Sequence, residues 1–279
     1  MEKPLNSSPF YEIYDDSVVT KHWDSGFFSQ STLILCGILE YINNFKKLPT
    51  TVDSSQSFSW YKTIDEIDIT ENYFKKFKEG YYLSNDGNID FNIFYQFRDY
   101  RWINYEKITP IINQYFSPSL QITNIIDNIT AKYSVDYENT CVLFYRGNDK
   151  ITETPLCDYR EYIHFTQYIL SKNPNVKFLI QSDETEFIEY FTYLYPNNSF
   201  YFKDEIRHMK KQNSTVDKVF KDDNSLYSKY YLAITIIMSK CNYIVCGSGN
   251  CSAWIMLYRG NAVNICQNLQ GKWICTLVI

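Results

Sequence analysis

Between residues 140 and 267, short apolar runs alternate with longer amphipathic stretches, and no other feature constrains the fold of this chain as much. Strands are expected at Cys141–Tyr145, Val176–Gln181, Ser199–Phe202, Tyr243–Cys246 and Ala262–Cys266. Helices are expected between them, over Tyr159–Ser171, Glu184–Tyr195, Ser225–Lys240 and on to Tyr258. Alternation of this kind specifies βαβ units and a parallel, doubly wound, Rossmann-like sheet. Such sheets bind ligands beyond the carboxyl ends of their strands. That rule selects three loops: Arg146–Glu153, Gln181–Asp183 and Gly247–Ser252.

The first half is less regular. Gly26-Phe-Phe-Ser-Gln30 precedes an apolar helical pattern over Thr32–Asn43, a short strand is expected at Leu48–Val52, and Ile108–Tyr133 has helical character. The expected organisation is an α/β chain of two units. Residues 1–138 would form a less regular α/β unit and residues 139–279 a Rossmann-like unit.

Composition narrows the function classes. With 27 Lys+Arg against 32 Asp+Glu and a formal charge of −5, no broad basic face is available for nucleic acid. No apolar run approaches the ~20 residues of a membrane-spanning helix. The start Met1-Glu2-Lys3-Pro4 lacks the basic-then-apolar layout of a secretory leader. The eight cysteines form no CxxC pair and only three histidines are present, so no metal site is expected. Reduced thiols and a cytoplasmic location follow as expectations. The 26 Tyr and 19 Phe are read as AT-rich coding rather than as a stacking surface. Lysine outnumbers arginine 21 to 6, which makes each arginine worth a reason.

Loop one, Tyr145-Arg-Gly-Asn-Asp-Lys-Ile-Thr-Glu153, has the outline of an anion clamp. Arg146 can grip a phosphate with two parallel hydrogen bonds. Gly147 lets backbone approach, Asn148 sits at the turn, Lys150 adds a point charge, and Asp149 can orient either cation. A solvated Gly-Asn-Asp turn is the plainer alternative. In loop two, Ser182 and Asp183 suit recognition of a sugar or base, and serve equally as an ordinary helix N-cap. In loop three, Gly247-Ser-Gly-Asn-Cys-Ser252, strand passes into helix, so backbone amides and the helix dipole would hold a phosphate. A nicotinamide dinucleotide reading needs a ribose-binding carboxylate about 20 residues on. No Asp or Glu follows Asp223, so that reading is disfavoured. His208 stands near the strand ends and is a binding candidate; His22 is a weaker one, and His164 falls inside a helical pattern.

Taken together, Arg146-Gly-Asn-Asp-Lys150, Ser182-Asp183 and Met238-Ser-Lys-Cys-Asn-Tyr-Ile-Val-Cys-Gly-Ser248 resemble the three peptide regions of the fucosyltransferase superfamily, across about 130 residues. This superfamily includes α1,6-, bacterial α1,2- and protein O-fucosyltransferases. The Gly26–Gln30 stretch is similar to its N-terminal Gly-rich loop. The resemblance implies a GT-B architecture of two Rossmann-like domains. GDP-fucose would be the donor and a glycan hydroxyl the acceptor, with inversion at the anomeric carbon and neither a metal nor a separate cofactor. By position, Arg146 would bind the β-phosphate, Asp183 the nucleotide, and Ser248 with its neighbours the phosphates.

The catalytic set implied is Arg146, Asp149, Lys150 and Glu153. The donor-binding set is Gly26, Ser29, Gln30, Arg146, Asn148, Ser182, Asp183, His208, Gly247, Ser248, Gly249, Asn250 and Ser252. The chain departs from the pattern in three places. The α1,6 branch's glutamate falls at Thr154, with Glu153 one residue earlier; the Arg-Arg pair is Arg146-Gly147; and an Asp often found before the third region falls near Ile234. A non-catalytic glycan- or nucleotide-binding protein that keeps the fold is the alternative. Arg146→Ala is expected to abolish turnover while leaving the fold intact.

Overall fold

The computed structural model describes residues 3–63, 67–76 and 88–278. The chain is α/β, as the alternation requires. Six strands form the larger sheet: β5 (Thr140–Tyr145), β6 (Lys177–Ser182), β7 (Ser199–Phe200), β8 (Tyr243–Gly247), β9 (Ile265–Leu269) and β10 (Lys272–Cys275). They are ordered β10-β9-β8-β5-β6-β7 and are parallel from β9 through β7, while β10 runs antiparallel on one edge. The central strand, β5, is buried at every position, and Val142 registers against Leu179 on one side and Ile244 on the other. Strands covered on both faces need continuous apolar sequence, and Cys-Val-Leu-Phe-Tyr supplies it.

Strand order reverses between β5 and β8. The chain winds outward from β5 to β6 and β7, then returns to the other side of β5 for β8 and β9. The crevice of a doubly wound sheet opens at that reversal. The loops that leave β5 and β8 are therefore neighbours at the carboxyl edge.

The smaller sheet comprises β1 (Asn6–Ser7), β2 (Tyr11–Ile13), β3 (Ser17–Thr20) and β4 (Thr51–Asp53). Strands β1 to β3 form an antiparallel meander, and β3 pairs parallel with β4 through a crossover helix, α1 (Phe27–Phe45). The smaller sheet therefore holds one βαβ unit of its own. Helix α1 is apolar around most of its circumference because it is covered by the small sheet on one side and by α8 (Asn250–Arg259) on another. Gly37 makes the first contact possible: a Cβ there would lie 2.8 Å from Val18 Cγ1.

Between β4 and β5 the chain forms α2 (Tyr105–Tyr115) and α3 (Leu120–Lys132). The single helix expected over residues 108–133 is broken because Pro118 has no amide to continue it, and Ser119 caps α3 through Ile122 N. The remaining helices are α4 (Tyr159–Lys172), α5 (Thr185–Leu194), the short α6 (Val216–Val219) and α7 (Asn224–Lys240). Helix α3 packs on α7, and both α1 and α2 pack on α8, so one hydrophobic core runs through residues of both halves. Among the described residues no helix is long and apolar enough to cross a membrane.

Two local expectations are corrected. Residues 27–30 are the first turn of α1 rather than a loop, because Tyr61 Oη receives the Phe27 amide at 2.8 Å and so satisfies the helix start. The strand expected at Ser199–Phe202 stops at Phe200, after which the chain turns, with Phe202 O receiving the Glu205 amide.

Candidate functional site

A cleft of about 450 Å³ opens at the sheet's reversal point. It is bounded by the loop after β5, the start of α8, the start of α1 and the strap of residues 213–218. Helix starts carry amides without intrahelical acceptors and a positive dipole end. Two such starts meet here. Gly26, Phe28 and Ser29 line the cleft from α1; Gly249, Asn250, Cys251 and Ser252 line it from α8. They are held together by Thr32, whose hydroxyl receives Trp254 Nε1–H at 2.9 Å and lies 3.2 Å from Asn250 Oδ1.

Arg146 enters the cleft from the end of β5 with 22% of its side chain exposed. Its Nε donates to Asp183 Oδ2 (2.9 Å), one Nη1 hydrogen to Tyr231 Oη (3.1 Å) and one Nη2 hydrogen to Asp149 Oδ1 (3.3 Å). Each terminal nitrogen keeps one further N–H, the paired edge that suits a phosphate. Burial is the largest influence on the guanidinium and opposes its charge, but Asp183 and then the other neighbours hold it fully protonated. Asp149 also faces the cleft. Burial pushes its carboxyl above the usual range, against the pull of Arg146. Lys150 Nζ pairs with Glu153 Oε2 at 2.5 Å, and both line the cleft.

The loop carrying Arg146 is clasped from beneath by two consecutive buried carboxylates. Asp183 Oδ1 accepts the Gly147 amide at 3.0 Å, and Glu184 Oε1 accepts the Asn148 amide at 2.8 Å. Asn148 has φ +36°, and its side chain donates to Asp183 O (2.8 Å) while accepting Gln212 N–H (3.0 Å). The result is an arginine preorganised on a rigid turn, opposite a rigid helix start.

No protein-family model matches the chain, and no curated protein sequence matches it. Among solved structures, a NodZ α-1,6-fucosyltransferase crystal soaked with GDP-fucose is similar in part. The TM-score is 0.37 with 11% identity, covering 60% of this chain and 52% of that one. The chain thus spans about half the length of that structure.

Of the residues singled out by sequence, the cleft brings together Gly26, Ser29, Arg146, Asp149, Lys150, Glu153, Ser248, Gly249, Asn250 and Ser252. Two of these turn their hydroxyls away from it: Ser248 Oγ donates to Asn268 O and Ser252 Oγ to Gly247 O. These serines offer backbone rather than side chain. Six others lie outside the lining. Asp183, 4% exposed, has its oxygens on Arg146 and Gly147 and so positions the arginine. Ser182 Oγ accepts the Glu184 amide, and Asn148 is buried in the turn. Gln30 is buried, with its amide directed at Trp23 O and Ser25 Oγ. Gly247 closes β8 behind the cleft. His208 holds Thr185 Oγ1 through Nδ1 at 2.8 Å, and half-burial lowers its pKa. His22 is largely exposed beside Asp24, and His164 lies in α4 against Phe165.

Sequence reasoning missed Gln96, Asp217, Lys218 and Tyr231, all of which line the cleft. Tyr231 sits on α7 and buttresses Arg146, but among 26 tyrosines nothing local marks it. Asp217 is bound by Arg207 (2.5 Å) and Tyr61 Oη (3.2 Å), which fastens the strap over the α1 start.

Proposed function

We propose that the cleft takes the diphosphate of a nucleotide sugar and that the protein is an inverting glycosyltransferase. The observation that carries this reading is that the open edge of Arg146 and the first-turn amides of α8 line one cleft at the sheet's reversal point. GDP-fucose as donor and a glycan hydroxyl as acceptor follow from the motif resemblance. Free thiols at all eight cysteines, seven of them buried, support a reducing, cytoplasmic setting.

In the proposed reaction the acceptor oxygen bonds to the anomeric carbon as that carbon's bond to the β-phosphate oxygen breaks. The acceptor's proton passes to a carboxylate, and the electron pair leaves with the nucleoside diphosphate. Arg146 and the α8 amides neutralise the charge that develops on the leaving diphosphate. Asp149 and Glu153 are the carboxylates beside that centre. Burial, the largest influence on Asp149, raises its carboxyl's affinity for a proton. Lys150 lies between Glu153 and the α8 start and adds positive charge there.

Titration calorimetry with GDP, UDP and inorganic pyrophosphate tests the binding half of this reading, and release of free fucose from GDP-fucose tests the catalytic half. Binding of GDP that is lost in Arg146→Ala is the expected result. Binding without donor hydrolysis or transfer would favour the non-catalytic alternative, and no binding of any diphosphate would end the proposal.

A further inference from the structure

Tyr100 comes from a 3₁₀ turn in the first half of the chain, yet its hydroxyl ends on the glycine that opens α8. It is fully buried. The hydroxyl receives Gly249 N–H at 3.1 Å and donates to Gly249 O at 3.2 Å, with Gln96 O a longer alternative at 3.4 Å. The Tyr100 amide donates to Gln267 Oε1 (3.1 Å), and Gln267 Nε2 donates to Ser248 Oγ (2.9 Å) and to Arg98 O (2.8 Å). These bonds close a ring through Tyr100, Gly249, Ser248 and Gln267. The ring fixes the two residues that aim the α8 amides, and Gly249 holds φ +158° within it. Tyr100 does not line the cleft, and packing alone needs only its ring.

We propose that Tyr100 is a positioning residue for anion binding, its hydroxyl holding Gly249 so that the α8 amides converge on the diphosphate. This rests on the reading of the cleft given above. The hydroxyl is the acceptor for the Gly249 amide, while Gly249 O is also reached by Ala253 N–H at 3.0 Å, so Tyr100→Phe strands the buried Gly249 donor at the mouth of the helix. An amide cradle works only when it is set before the ligand arrives.

The test compares wild type, Tyr100→Phe and Tyr258→Phe at a temperature where circular dichroism shows all three folded. Tyr258 also lies on α8 and also loses a buried hydroxyl bond, to Phe116 O, but at the far end of the helix. Dissociation constants for GDP and inorganic pyrophosphate are measured by calorimetry, together with hydrogen exchange at the Gly249 amide. Tyr100→Phe is expected to weaken both ligands at least tenfold and to speed Gly249 exchange, while Tyr258→Phe binds as wild type does. Binding by Tyr100→Phe within twofold of wild type would overturn the proposal and leave the cleft reading standing, as would an equal loss in Tyr258→Phe. Absence of binding in wild type would overturn both. Gln267→Met, which opens the ring from β9, carries the same expectation if Tyr100→Phe does not fold.

Discussion

Gly147 lies against the carboxylate of Glu184 so closely that a Cβ at residue 147 would sit 1.8 Å from Oε1. Glu184 is fully buried and holds the next amide, Asn148 N, along with the Tyr159 hydroxyl. Any side chain at residue 147 would meet that carboxylate, which leaves the position to glycine.

Gly147→Ala is therefore expected to destabilise the protein by about 1–3 kcal/mol, since either Glu184 or the arginine loop must move. GDP affinity should fall with it. Urea unfolding followed by calorimetry checks both, and an unchanged unfolding midpoint would contradict the geometry.

Arg146→Ala does more than remove a phosphate ligand. It leaves Asp183 buried with only the Gly147 amide, and breaking a buried ion pair from one side costs about 3–5 kcal/mol. The expectation from sequence that the fold would be untouched is revised accordingly. Arg146→Lys, which keeps charge but not the fork, should be milder in stability. Its turnover should still fall about 10²–10³-fold, as for a lost preorganised donor. Thermal unfolding and a donor-turnover assay separate the two effects.

Asp149 gives a pH dependence with a definite sign. Burial, its largest influence, raises the folded carboxyl's pKa, whereas an unfolded aspartate titrates near about 3.9. The folded protein thus holds this proton more tightly than the unfolded chain. The group's contribution is present below that unfolded value and is lost as pH rises through the folded one. Asp149→Asn should accordingly be more stable than wild type at neutral pH, with the advantage shrinking as pH falls toward about 4, and should lose transfer activity. Unfolding midpoints measured along a pH series check the sign; a wild type that gains stability over Asp149→Asn as pH rises would reverse it.

Arg259 offers the contrasting case of an arginine that is structural. At the end of α8 it donates to the carbonyls of Ser239, Cys241, Asn242 and Val263 and so gathers the end of α7 and the turns on either side of β8. Replacing it with methionine should cost about 3 kcal/mol, from charged hydrogen bonds to carbonyls left without donors. GDP affinity in the folded variant should not change. Calorimetry that showed a tenfold loss would tie this end of the helix to the site.

The larger sheet was legible because buried parallel strands demand unbroken apolar runs, and 141–145, 178–180 and 243–246 are such runs. The meander of β1 to β3 escaped notice because its strands are two to four residues long, too short to establish a period. Strand β10 was missed for a similar reason: Lys272–Cys275 is four residues long, and its Trp-Ile-Cys run sets no period. Within the site, loops one and three were found from strand-end position and glycine. Tyr231 and Tyr100 were not, because the bonds from Tyr231 to Arg146 and from Tyr100 to Gly249 each span more than 80 residues of sequence.

Sequence alone determined the βαβ winding and the residue types on the loops at its strand ends, since these depend on periodicity and local residue type, whereas the strand order and its reversal between β5 and β8 came from the structure. Tertiary structure decided what each polar group is free to do. Asp183, Ser182, Asn148 and His208 read as ligand contacts along the chain, and folding gives each of them an internal partner that the sequence does not show: Asp183 holds Arg146, Asn148 bonds to Asp183 O, Ser182 takes the Glu184 amide and His208 Nδ1 meets Thr185. Arg146 remains able to bind because it has five N–H groups, of which folding engages three.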